Sequence, residues 1–252
     1  MAEYINSEHY VLPSKGLIYE EEVNPNITIT SMTTTDEMKR LSRSERQYQT
    51  LCEIIDSRLV EPIGISSYDL CIGDYAFLLH RLRVATYGDE YKLASVCPFC
   101  GHRNEDTISL DDFKVNDFKE EDLQKYSEFE LPVTKKKIKI RMQTPRSLDD
   151  TAIKIADEKK RLNNSSFDPS LIYNIASMII SVDGKVMDTF KLEEWVKTLP
   201  MKDTATILAY SQKLNDLIGM DLTLENKCNL CGYEFKSSFT IGPEFFRPNL
   251  DI

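Results

Sequence analysis

Two short stretches, CPFCG at residues 97–101 and CNLCG at residues 228–232, repeat one pattern: two cysteines with two residues between them, then a glycine. Such a turn aims both sulfurs at one point, and thiolates are the ligands that zinc takes into a tetrahedral structural site. The glycine supplies the left-handed backbone that a tight turn of this kind needs. One knuckle provides half a coordination shell, and a second of the same form completes it. The spacing therefore predicts that Cys97, Cys100, Cys228 and Cys231 hold one structural zinc ion per chain. It also requires the fold to bring two segments together across residues 102–227.

A catalytic zinc needs an open coordination position, usually among histidine or carboxylate ligands, and four thiolates leave none. His102, directly after the first knuckle, reads as a solvent-facing residue on the outgoing strand rather than a ligand. A thioredoxin-like redox motif fits poorly, because neither knuckle lies where a strand leads into a helix. The remaining cysteines, Cys52 in LCEII and Cys71 in DLCIG, sit in apolar helical patterns as small buried hydrophobes. His80, alone inside a helical stretch, reads as a packed or surface side chain. The chain has no G-x-x-x-x-G-K-[ST], no H-E-x-x-H and no G-x-S-x-G, and only three histidines. Asp149-Asp150 follows TPRSL at an expected helix start, where acidic residues favour the helix dipole. No catalytic residue is assigned, and the chain is read as a non-enzyme.

With 41% apolar and 10% aromatic residues, 252 residues can build one large core or two modest ones. No stretch reaches the roughly 18 uncharged apolar residues of a membrane span, and MAEYINSEHY lacks the features of a signal peptide. An intracellular product is expected, and in a reducing compartment paired cysteines favour metal over disulfides. Net charge is −10, so the overall field repels phosphate backbones and no specific nucleic-acid binding is expected. The basic run TKKKIKIR at residues 134–141 alternates as one strand with a solvated face.

Periodicity and punctuation predict an α+β chain: a split four-cysteine zinc ribbon of β-hairpins, with a mostly helical insertion and an N-terminal extended arm. Residues 1–33 read as the arm followed by a strand, NITIT. Residues 34–89 read as helices. The first opens on a capping box of Thr34 and Glu37, with Met38 and Leu41 starting its apolar face. The second carries Tyr48, Leu51, Cys52, Ile55 and Leu59. The third has Ser67 or Asp69 as its cap and Gly88 just past its end. Residues 90–110 and 221–242 form the split ribbon, each half a hairpin with its knuckle at the tip. Residues 111–220 are the insertion, with strands FELPV and KIKIRM, helices from Ser147 or Asp149 to Leu162 and from Pro169 to Ile180, a tight Asp183-Gly184 turn, and two further helices. Residues 243–252 read as a docking tail, because Phe245, Phe246, Arg247 and Pro248 form a segment too short to fold alone. Leu12, Leu17, Ile18 and Tyr19 of the arm are expected to add an edge strand to a neighbour or to the chain's own sheet.

Several stretches, in this order, resemble the baseplate hub and tail-assembly proteins of contractile-tailed, T-even-like bacteriophages. They are LPSKGLIY (12–19), TITSMTTTDEMKRL (28–41), YKLASVCPFCGHRNEDTISL (91–110), IISVDGKVMD (179–188), CNLCGYEF (228–235) and GPEFFRP (242–248). The resemblance implies a non-enzymatic structural or assembly subunit of the baseplate hub region. It implies other tail proteins as partners in a hetero-oligomeric assembly, and a place in the virion after synthesis in the host cytoplasm. An adaptor of nucleic-acid machinery built on a zinc ribbon is the alternative, and it requires the basic strand and a knuckle to form one positive face.

Overall fold

The computed structural model describes residues 7–162, 168–241 and 243–246. Strands β1 (Ser7–Val11) and β2 (Asn26–Thr30) are followed by helices α1 (Thr34–Leu41), α2 (Gln47–Arg58) and α3 (Ile72–Tyr87). The hairpin β3 (Glu90–Val96) and β4 (Arg103–Ser109) comes next, then α4 (Glu120–Ser127), β5 (Glu128–Glu130), β6 (Lys137–Ile140), α5 (Pro145–Arg161), α6 (Ser170–Met178) and β7 (Ile179–Val182). Helices α7 (Thr189–Lys197) and α8 (Met201–Asp216) lead into the second hairpin, β8 (Thr223–Lys227) and β9 (Glu234–Ser238). The chain is thus mixed helix and strand in small sheets, of the α+β class.

Two apolar cores divide these elements. The first gathers β2, α2, α3 and the bases of both cysteine hairpins around Ile29, Ile54, Leu78 and Phe77. The second lies where the antiparallel sheet β5-β6-β7 meets α6, α7 and α8, around Ile138, Ile175 and Ile207. The lysine-rich run forms β6 as the alternation requires, with Ile138 and Ile140 buried and Lys137 and Lys139 exposed. Asp183 and Gly184, at φ 51° and 74°, make the tight turn after β7.

The N-terminal arm differs from its expected form. Residues 7–11 pair with β2 from Ser7↔Thr30 to Val11↔Asn26, and the next turn folds into the first core, where Leu12 is buried. The cause is Asp74, fully buried at the start of α3. Its carboxylate accepts the Ser14 N–H (3.0 Å) and the Tyr19 hydroxyl (2.7 Å), and a buried acceptor demands such partners. Leu17 remains exposed. Residues 1–6 lie outside the described residues.

The start of the tail packs inward. Phe245 is 1% exposed and Phe246 is equally hidden, packed on each other and on Phe239 within the first core. They are not presented to a partner, since burying two aromatic rings in the chain's own core is the more favourable outcome. Gly242, Arg247, Pro248 and the residues to 252 lie outside the described residues.

Local starts also shift. The capping box of α1 is formed by Thr33 and Asp36, one residue before the expected pair, because Asp36 can also reach Arg58 (3.4 Å). Met38 and Leu41 face solvent. Ser66 caps a single 3₁₀ turn at Ser67–Asp69, and α3 begins only at Ile72, closed by Gly88 as expected. Helix α5 begins at Pro145 with Thr144 as its cap. Asp149 therefore does not serve its own helix. It accepts the Tyr48 and Gln49 N–H groups at the start of α2 (3.3 and 2.9 Å) and the Tyr68 hydroxyl (3.1 Å), joining α5 to the lobe built on the first core. Arg46–Asp150 (2.6 Å) and the two-pronged Arg146–Asp69 pair (2.6 and 2.7 Å) flank it.

Candidate metal centre

Each cysteine turn closes an antiparallel hairpin whose register is set by alternation. β3 pairs with β4 from Glu90↔Ser109 to Val96↔Arg103, and β8 with β9 from Thr223↔Ser238 to Lys227↔Glu234. The tips have matching backbone bonds. Cys97 N–H donates to the His102 carbonyl and Gly101 N–H to the Cys97 carbonyl; Cys228 donates to Tyr233 and Gly232 to Cys228; all four are 2.9 Å. Gly101 and Gly232 sit at φ 72° and 74°, and a Cβ on either would meet nothing within 4 Å, so glycine is needed there for its backbone and not for space.

The fold lays one tip against the other. The four sulfurs lie within 4.8 Å of one another, with Cys97–Cys231 at 3.8 Å and Cys100–Cys228 at 3.6 Å. Among the described residues this is the one gathering of three or more His, Cys, Asp or Glu side chains that could hold a metal ion. Cys97 and Cys228, the first cysteine of each turn, are buried, and Cys100 and Cys231 face outward. Thiols this close cannot all ionise unaided. Burial opposes ionisation of Cys228, but the N–H groups of Cys231 and Leu230 and the neighbouring thiols bring it down to about 6. Cys100 is bonded by the His102 backbone, yet desolvation and its three thiol neighbours push it up to about 12. A divalent cation held at their centre would reverse that repulsion and take all four as thiolates.

Two features of the junction carried no signal in the sequence. Asn104, buried on β4, accepts the Asn229 N–H of the opposite knuckle (2.9 Å). Phe99, 75% exposed, stacks on Tyr233 with ring centres 5.5 Å apart. Both are cross-hairpin contacts, and neither strand pattern reveals its partner. His102 is half-buried and stands outside the thiol cluster. Cys52 and Cys71 are buried and stand outside it, with burial pushing both thiols up to about 12, as expected of inert core residues.

A family model, described as T4 bacteriophage base plate protein, matches residues 7–247 and so takes in both lobes and both knuckles. The chain belongs to that family. No curated protein and no solved structure matched the chain. As a T4-like baseplate protein, it has the tail of the virion as its implied place and other tail proteins as its implied partners. No helix among the described residues is long and apolar enough to cross a membrane.

Proposed function

We propose that the baseplate protein is a non-enzymatic structural or assembly subunit of the hub region, in which one zinc ion bound by Cys97, Cys100, Cys228 and Cys231 clasps the two hairpins. The observation that carries this reading is the thiol cluster. Four thiolates about 2.3 Å from a central zinc stand about 3.8 Å apart at the corners of a tetrahedron, and the cross-knuckle sulfur pairs are 3.8 and 3.6 Å apart. A full shell of thiolates gives the ion no free position for substrate or water, so its contribution is folding energy.

The adaptor alternative has less support. Lys135, Lys136 and Lys139 of the basic run pair with Glu130, Asp183 and Glu128, which offsets three of its five positive charges, and the chain's net charge of −10 repels a phosphate backbone.

Elemental analysis of the chain purified under reducing conditions should find one zinc per chain, and Cys52→Ser/Cys71→Ser should keep it. Cys228→Ser/Cys231→Ser should lose it. Retention of a full equivalent in that second variant would refute the shared site. The hub assignment is tested separately, by mass spectrometry of isolated baseplates and of their central subassembly.

A further inference from the structure

The two cysteine hairpins touch at their ends and stand apart between. At the tips they are joined by the thiol cluster and the Asn104–Asn229 bond, and at the base by the Tyr91 and Phe239 rings, edge to face at 5.3 Å. Between these anchors lies an open slot of about 500 Å³ bordered by β3 on one side and β9 on the other. The two strands belong to separate two-stranded sheets and are not bonded to each other.

Backbone alternation shows what the slot offers. Along the first hairpin, Leu110 N–H donates to the Asp89 carbonyl and Cys97 N–H to the His102 carbonyl. Every second pair between them is bonded, which turns the N–H and C=O groups of Ala94 and Val96 outward from β3. In the second hairpin, the bonds from Cys228 to Tyr233 and from Phe239 to Leu222 do the same for Lys236 and Ser238 of β9. The floor holds one more unmet demand. Ser95 is 8% exposed, and its hydroxyl has no hydrogen-bond partner among the described residues. Buried polar groups without partners are rare in native proteins and mark a missing neighbour.

We propose that the slot receives one extended segment of a neighbouring polypeptide, which adds as a strand along the outward N–H and C=O groups of Ala94 and Val96 on β3 and of Lys236 and Ser238 on β9. Unpaired strand edges recognise extended backbone and little else, and pockets for alternate side chains then select the sequence. Leu93, Phe235 and Ser95 are among the residues that line the slot. The incoming strand therefore carries apolar side chains at alternate positions, with one hydrogen-bonding group opposite Ser95. Edge-to-edge pairing of two copies of this chain would use one edge and leave the slot empty. The baseplate reading enters only in naming who supplies the strand: another tail protein.

The test uses the full zinc-loaded chain and a displayed library of randomised nine-residue peptides. Selected peptides should show apolar residues at every second position, and the strongest should slow amide exchange at Ala94, Val96 and Ser238. Ala94→Pro and Ser238→Pro remove an outward N–H that the hairpin itself does not use. Each should lower affinity for that peptide at least tenfold, with zinc content and melting as in the wild type. Should a proline variant melt early, Ser95→Ala decides, with an expected loss of about three- to tenfold, the worth of one hydrogen bond. Selection of no alternating peptide, unchanged affinity in Ser95→Ala and the proline variants, or edge-mediated dimers in place of peptide binding would each overturn the proposal. Absence of the chain from purified baseplates and from their assembly intermediates would sink the functional reading and leave the peptide result standing.

Discussion

At the scale of single residues, the aromatic end of the chain is held by a buried cation. Arg83 is fully buried, donates to the carbonyls of Phe245 (2.9 Å) and Gly88 (2.8 Å), and lies over the rings of Tyr87 and Tyr91. His80 stands beside it against Phe113 and Phe245, with neither ring nitrogen bonded among the described residues. Burial first, and then the charge of Arg81, bring the His80 pKa down from 6.5 to about 3. The unfolded chain protonates this ring below pH 6.5 while the folded chain keeps it neutral until about 3. Its contribution to stability is thus complete above 6.5 and is lost as pH falls through that window. His80→Leu should accordingly show a shallower fall in Tm than the wild type below pH 6.5, read by thermal melts across a pH series; parallel curves would refute it. Phe245→Ala should cost about 3–5 kcal/mol in denaturant unfolding, the usual loss for a buried ring. A change under about 1 kcal/mol would return the ring to the role of an exposed anchor.

At the scale of elements, the lobes are locked by contacts between helix starts. Asp149 of α5 serves as the cap of α2, a helix whose own preceding residue, Arg46, makes no side-chain cap. Helix α3 crosses the segment after α8 so closely that a Cβ on Gly73 would lie 2.0 Å from the Ile218 carbonyl oxygen. The oxygen belongs to backbone and the Cβ would be fixed rigidly to it, so neither can swing away. Gly73→Ala should force the lobes apart and lower Tm by several degrees, matching an overpacking cost of about 1–3 kcal/mol. An unchanged melt would mean that this crossing is loose.

At the scale of the whole molecule, the cysteine cluster closes a very long loop. Cys100 and Cys228 are 128 positions apart, and the entire second core lies between them. Folding must bring these distant segments together, and the affinity of a metal held there adds to folding free energy when the site exists only after folding. Chelation should therefore lower the unfolding transition of both lobes together, followed by calorimetry with and without added zinc. Loss confined to the hairpins, with the remainder melting as before, would show that the clasp serves only itself.

What the sequence determined by itself was whatever depends on local chemistry. The C-x-x-C-G turns carry their geometry within five residues, the Lys/Ile alternation of β6 states which side is buried, and Asp183-Gly184 dictates its turn. The pairing of the two knuckles was also legible, because half a coordination shell implies another. Tertiary structure decided whatever depends on a distant partner. Phe245, Phe246 and Leu12 look alike as interface anchors or core residues, and only tertiary contacts, such as the bonds from Arg83 to the Phe245 carbonyl and from Ser14 to Asp74, make them core. Asp149 reads as a cap in either setting, but which helix it caps is fixed by the meeting of two lobes a hundred positions apart in sequence. The slot between β3 and β9 belongs to neither hairpin, and no pattern along one strand can announce the space left between two.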